Sequence, residues 1–265
     1  MATSGPIRGD MPRLTPVRSI LALMLREMGS TYGQSPGGYV WAIVQPIGII
    51  LILAVGFGLL IRAPALGTSF LMFYATGFLT YDIYNQLMRK ILNALKYSKA
   101  MLAYPRVIWL DAILARFFLN LLTLVTVFCI VISGVLMFVD TRTVIAIQPV
   151  LIGLAIVAAF GLGVGMMNCL LIGLFPVWDI VWKILTRPMF IASGVLFIFE
   201  DMPPMAQAIL WWNPVMHATG LVRKGFYPNY HASYVSVAYC LGVSLLLVAV
   251  SLLFLWTYHK KILKR

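Results

Sequence analysis

Tyr74, Phe78, Tyr81 and Asn85 fall at helical spacing, and Phe73, Gly77, Thr80 and Tyr84 form the stripe beside them. Aromatic rings that carry hydroxyls suit the apolar faces and polar rims of sugars. A row of them gives weak, sequence-tolerant contacts along which a polymer could slide. Tyr74, Phe78, Tyr81 and Tyr84 are the residues such a track would use. The same stripe also reads as core packing or as an aromatic belt at a membrane interface, and the sequence leaves both open. Asp82 lies within this segment. A charge inside an apolar run is a functional candidate by default, yet Asp82 could equally bridge to Asn85, Arg89 or Lys90.

Other chemistries are missing from the sequence. It holds no G-x-x-x-x-G-K-[ST] phosphate loop, so it cannot bind and hydrolyse a nucleotide by that route. His217, His231 and His259 are scattered, with no second ligand at helical spacing, and no metal site is expected. Cys129, Cys169 and Cys240 lie in apolar runs, show no metal or disulfide spacing, and are expected to be buried. Gly161-Leu162-Gly163-Val164-Gly165 sits within an apolar run with no strand before it. Gly161 and Gly165 read as a small-residue pair that lets helices pack closely. No catalytic residue is assigned, because a nucleophile–base pair or a set of acids at one membrane face is lacking. Few polar groups lie at mid-membrane, which argues against an ion-coupled carrier.

These residues must be positioned by membrane helices. The chain has 265 residues, 62% hydrophobic and only 11% charged, where a soluble domain carries about 25% charged residues. A net charge of +12 would suggest nucleic acid in a soluble protein. Here the basic residues sit between apolar runs, so no nucleic-acid partner is expected. The runs predict an all-α polytopic protein with six spans: Val40 to Ile61, Phe70 to Met88, Phe117 to Val139, Val144 to Leu174, about Val177 to Phe199, and Tyr234 to Trp256. With the N-terminus inside, sixteen of the 20 Lys and Arg residues fall on the cytoplasmic side. The outside keeps Arg62, Arg142, Arg223 and Lys224. Both termini are therefore expected in the cytoplasm. The longest apolar stretch in the first 38 residues, Ile20 to Leu25, is shorter than the 7–15-residue core of a signal peptide, so a retained N-terminus is expected.

Three segments beside the spans look structured. Leu14 to Met28 reads as an amphipathic helix lying in the interface, with Arg18 and Arg26 on its polar face and Leu23 as an exception to the pattern. A solvated helix packed on the bundle is the other reading. Arg89 to Arg116 is basic, mixed with Leu92, Leu95, Met101 and Leu102, and broken by Pro105. It suits a helix-break-helix that either docks a cytoplasmic partner or serves only as a topogenic loop. Glu200 to Ser233 holds Trp211, Trp212 and four prolines. Its stretch Ala206 to Trp212 is too short to span, and short re-entrant helices before the sixth span are expected. The domain division is thus 1–38, a cytoplasmic segment with the interfacial helix; 39–258, the six-span domain; and 259–265, a basic cytoplasmic tail. Within the six-span domain, about 89–106 is the coupling segment and about 200–233 the external re-entrant segment.

Several motifs, in order, resemble ABC-2 type permeases, and most of all the capsule-polysaccharide export permeases. They are Leu25-Arg26-Glu27, Thr31-Tyr32 and Gly38-Tyr39-Val40-Trp41-Ala42 with Pro46; Leu102-Ala103-Tyr104-Pro105-Arg106; Phe175-Pro176-Val177-Trp178-Asp179 with Arg187-Pro188; and Met202-Pro203 with Trp212-Asn213-Pro214. The resemblance runs from about residue 18 to the tail and implies the ABC-2 (type V) exporter fold. It implies a homodimer carrying two ATPase subunits, with ATP and magnesium on those subunits and no cofactor in this chain. The coupling residues would be Ala94, Leu95, Lys96, Lys99, Met101, Leu102, Tyr104 and Pro105. Arg18, Arg26, Tyr32, Tyr39 and Trp41 would guard the substrate entrance beside membrane lipid. The cargo implied is a lipid-linked capsular polysaccharide crossing a bacterial inner membrane, passed on to a periplasmic polysaccharide co-polymerase and an outer-membrane export protein. Permeases for O-antigen or teichoic-acid polymers share much of the pattern. A membrane enzyme acting on lipid-linked sugars, or a membrane scaffold, is the reading from outside the class.

Overall fold

Long apolar runs with no backbone partner other than themselves must coil into helices, and the apolar runs among the described residues do so. The computed structural model describes residues 16–32, 37–99, 108–139 and 145–264. Among these residues ten α-helices follow one another: α1 (Pro16–Tyr32), α2 (Gly38–Leu60), α3 (Phe70–Leu92), α4 (Ala94–Tyr97), α5 (Trp109–Phe138), α6 (Ile147–Leu174), α7 (Trp178–Ala192), α8 (Pro204–Leu210), α9 (Pro214–Phe226) and α10 (Val237–Lys264). Among the described residues there is no strand. Four helices are long and apolar enough to cross a membrane: α2, α5, α6 and α10.

Helix α6 is the hub. Its flanks pack on α3, α9 and α10, and glycines set how closely they approach. A Cβ on Gly165 would lie 2.8 Å from Ile91 Cβ, and one on Gly163 would lie 2.9 Å from Leu247 Cβ. The expected Gly161–Gly165 packing seam is therefore present, with Tyr84 and Leu87 against Gly161. Gly163 adds a second seam toward α10.

Helix α3 is the most enclosed and the most polar of the long helices. Ser69 caps its start by accepting from Met72 N. Thr76 Oγ1 donates to Met72 O at 3.0 Å and Thr80 Oγ1 to Thr76 O at 2.7 Å, so both hydroxyls are satisfied within the helix. Gln86 Nε2 donates to Asp82 Oδ2 at 2.6 Å. Arg89 bonds Asn85 instead. The bridge made by Asp82 is thus to Gln86, one turn on.

The fifth apolar run ends earlier than its hydropathy suggests. Helix α7 stops at Ala192, not near Phe199. Gly194 takes a left-handed φ of +71°, and the chain turns there into the 3-10 turn Phe199–Asp201. At about 1.5 Å per residue, the 15 residues of α7 are shorter than the ~30 Å bilayer core. A second difference concerns Cys129. It is exposed on α5, while Cys169 and Cys240 are buried. An apolar run fixes the helix but not which face points inward.

Candidate functional site

At one end of the bundle, α3 hands over through Asn93 to the single turn α4. Ala94 and Leu95 are buried and anchor this turn, while Lys96 and Lys99 are exposed beside it. Apolar residues thus fix the backbone and leave the ammonium groups facing outward. Met101, Leu102, Tyr104 and Pro105 lie outside the described residues. On the far side of the break, Asp111 Oδ2 accepts from Ile108 N at 3.3 Å and opens α5.

Helix α1 joins this end through a buried charge pair. Arg116 Nε of α5 stands 3.2 Å from Glu27 Oε1, an ion pair rather than a hydrogen bond. Arg116 also donates to Lys90 O at 3.0 Å, and its guanidinium lies over the Tyr97 ring at 4.0 Å. One side chain therefore ties α1, α3, α4 and α5 together. Leu23, which breaks the amphipathic pattern, is buried on the same side as Glu27. The apolar stripe of Leu21, Leu25 and Met28 stays exposed, Leu25 at 69%. So α1 uses its exceptional residues to dock and its regular stripe to face outward.

Arg26 is exposed and lines a small recess with Tyr97 and Ser98. Trp41 is exposed at the start of α2. Arg18 and Tyr32 lie on α1 and Tyr39 on α2, with their side chains outside the described set. The aromatic stripe of α3 turns inward. Tyr74, Phe78, Tyr81 and Tyr84 are all buried, and Tyr84 stacks on Phe160 of α6 with centroids 5.3 Å apart. Tyr81 alone of the four lines a larger cleft, between α3 and α7.

The opposite end of the bundle carries a cluster that sequence reasoning did not single out. Arg223 of α9 is 2% exposed. It donates to Phe197 O at 2.8 Å and Val195 O at 3.0 Å, and lies over the Phe73 ring at 4.0 Å. Those carbonyls belong to the segment where α7 breaks, so Arg223 replaces the helical bonds lost there. Its Nε finds no hydrogen-bond partner among the described residues. Burial lowers the pKa of the guanidinium, which nonetheless stays protonated at neutral pH. Gly77 of α3 makes room for it, since a Cβ there would lie 2.7 Å from an Arg223 nitrogen.

His217, one and a half turns earlier on α9, is fully buried. One ring nitrogen, Nδ1, accepts from Ser236 N at 3.2 Å, and the other, Nε2, donates to Trp211 O at 2.7 Å. Those bonds fix a neutral tautomer, and burial lowers the imidazole pKa accordingly. Around it, Tyr230 donates to Glu200 Oε2 at 2.9 Å and Asn213 donates to Ala192 O at 2.8 Å. The one signal in the sequence was Arg223, set with Lys224 between Gly220 and Gly225. It reads as an ordinary outside charge unless the fold is known.

No group of three or more His, Cys, Asp or Glu able to hold a metal occurs among the described residues. What the two ends offer is mechanical. One has an exposed basic turn wired to α1, and the other has a knot of side chains holding a short helix in place. The sequence matches the family profile described as ABC-2 type transporter over residues 18–227. It is similar to the polysialic acid transport protein KpsM of Escherichia coli, 26% identical over 83% of this chain and 86% of that one. It is also similar to two proteins named capsule polysaccharide export inner-membrane protein. BexB of Haemophilus influenzae is 24% identical and CtrC of Neisseria meningitidis serogroup B is 26% identical, each over 92% of both chains.

Proposed function

The chain belongs to the ABC-2 type transporter family, and on that premise we propose that it is the permease subunit of an ATP-driven exporter of lipid-linked capsular polysaccharide in a bacterial inner membrane. The observation that carries the substrate is the near-full-length similarity to three proteins named for polysialic acid or capsule polysaccharide transport. The permease has no nucleotide site of its own kind in sequence, so ATP and magnesium act on partner ATPase subunits.

In this reading α2, α3, α5, α6, α7 and α10 are the six spans, and the α4 end faces the cytoplasm with both termini. The short α7 crosses together with the turn that follows it, and α8 and α9 form the external re-entrant segment. Residues 1–38 form the interfacial entrance segment and 259–265 a basic tail, which continues α10 to Lys264. The permease works as a homodimer with two ATPases, and hands its cargo to periplasmic and outer-membrane partners. The buried anchor and exposed lysines of α4 support its role in docking an ATPase. ATP-driven closure of the ATPase pair would then move α4 and, through Arg116, helix α1.

Charge reversal of Lys96 and Lys99, or substitution of Leu102, tests the coupling segment. Reduced co-purification of the ATPase and reduced surface polysaccharide are expected. Normal assembly together with normal export would sink the assignment. Neutralising Arg18 and Arg26 in a correctly inserted protein should lower export if they guide an anionic lipid end, and unchanged export leaves them only a topogenic role.

A further inference from the structure

A cleft of about 710 Å³ lies between α3, α4 and α7, and its lining is divided by chemistry. Four cations line it: Arg89 and Lys96 on one wall, Lys183 and Arg187 on α7. The only acid lining it among the described residues, Asp179, is already paired with Lys183 at 2.6 Å. Arg89 uses its Nε on Asn85 Oδ1 at 3.1 Å. Lys96 and Arg187 make no hydrogen bond or ion pair among the described residues. Three cations thus line one cleft whose one lining acid among the described residues is already engaged, a balance of charge that favours an anion. The guanidinium fork matches phosphate oxygens in particular.

The far part of the cleft is aromatic. Tyr81 and Phe190 line it, edge-on at 5.3 Å, while Trp182 sits nearer the cations, its Nε1 donating to Met88 Sδ at 3.4 Å. Tyr81 lies about 12 Å along α3 from Arg89, at 1.5 Å per residue. Ring faces beyond a cationic mouth suit a sugar attached to a phosphate. An acidic protein segment would use the cations but has no need of the rings.

We propose that this cleft binds a phosphate ester joined to sugar rings, with the phosphate among Arg89, Lys96 and Arg187 and the rings running from Trp182 toward Tyr81. The inference rests on the exporter reading and deepens it: the ligand is the phosphorylated, lipid-proximal end of the glycan. Because Lys96 belongs to α4, the bound phosphate touches the turn that docks the ATPase.

The test uses the full chain in phosphatidylcholine nanodiscs, with octyl glucoside 6-phosphate as probe and octyl glucoside and phosphatidylglycerol as comparators. Tryptophan fluorescence and ³¹P NMR report binding. The phosphorylated glucoside should bind about tenfold more tightly than octyl glucoside, and Arg89→Gln with Arg187→Gln should remove about that factor, 1.4 kcal/mol. Arg89→Lys with Arg187→Lys should keep most of it. Equal binding of the two glucosides, or no loss in the glutamine variant, overturns the proposal. So does phosphatidylglycerol displacing the probe at a lower concentration, which makes the cleft a lipid-headgroup site. In cells, the glutamine variant should still co-purify with the ATPase yet export poorly. Loss of co-purification means a partner surface and overturns the proposal. Failure of the unaltered chain to support export counts against the exporter reading alone, and leaves the binding result standing.

Discussion

The α4 end and the α9 end each bury an arginine, and they satisfy it by different means. Arg116 has the Lys90 carbonyl and the Tyr97 ring, and in addition a carboxylate on another helix 3.2 Å away. Arg223 faces two backbone carbonyls and a phenyl ring, with no carboxylate paired to it among the described residues. The first arrangement is a joint between two side chains, either of which can be changed together with the other. The second is a brace across a break in the main chain, and the main chain cannot be changed to match. The difference teaches where motion can be built in. A side-chain pair can separate and re-form between two helices, whereas a brace on carbonyls holds only one geometry.

The comparison breaks most readily at the joint. Arg116→Leu breaks the buried ion pair with Glu27 and should destabilise the protein by about 3–5 kcal/mol. Thermal unfolding in detergent and hydrogen exchange in α1 would register it, and Glu27→Leu with Arg116→Leu should recover most of the loss. Arg223→Met orphans two buried carbonyls, and a loss of about 2–4 kcal/mol is expected from their desolvation. No single second substitution should restore it. If one does, the contrast between joint and brace fails. Gly77→Ala sharpens the same point. The added methyl presses on Arg223 and on Val195 O, 3.2 Å away, and overpacking of this kind costs about 1–3 kcal/mol. The penalty should shrink when Arg223→Met is already present.

The smallest effect is one of pH. His217 is held neutral, so its pKa is lowered in the folded state. The unfolded chain then takes up a proton first as pH falls, and stability rises with pH through that window. Exchange protection of α9 should be full above about pH 6.5 and decline below it. Protection of α1, whose joint holds no histidine, should not follow that curve.

Much of the helical frame was legible in the residues. The ends of α2 and α6 fall within three residues of the hydropathy limits, because an apolar run has one way to satisfy its backbone in lipid. The α7 break was not legible. It depends on Arg223, which arrives some thirty residues later in the chain, and no local pattern carries that contact. Helix α9 falls within the segment expected to hold short helices, but its limits and its buried side chains were not legible for the same reason: its polar groups are satisfied by distant segments. Leu23 read as a flaw in the α1 stripe because periodicity reveals one face at a time, and this helix has a use for two. The aromatic stripe of α3 left two readings open. In the single chain its rings pack inward, and Tyr81 alone reaches the large cleft.

The enclosure of α3 has a consequence for how the protein is made. Its threonines, Asp82 and tyrosines are hidden by α6 and α9, and it is not among the helices apolar enough to cross a membrane unaided. In the proposed six-span arrangement, α3 would leave the ribosome well before the glycine seam that covers it. Lipid solvates such a helix poorly, so its residence in the bilayer is secured only when α6 arrives. Ribosome-stalled chains ending before α6 should therefore expose α3 to aqueous labelling, and chains extended through α6 should not.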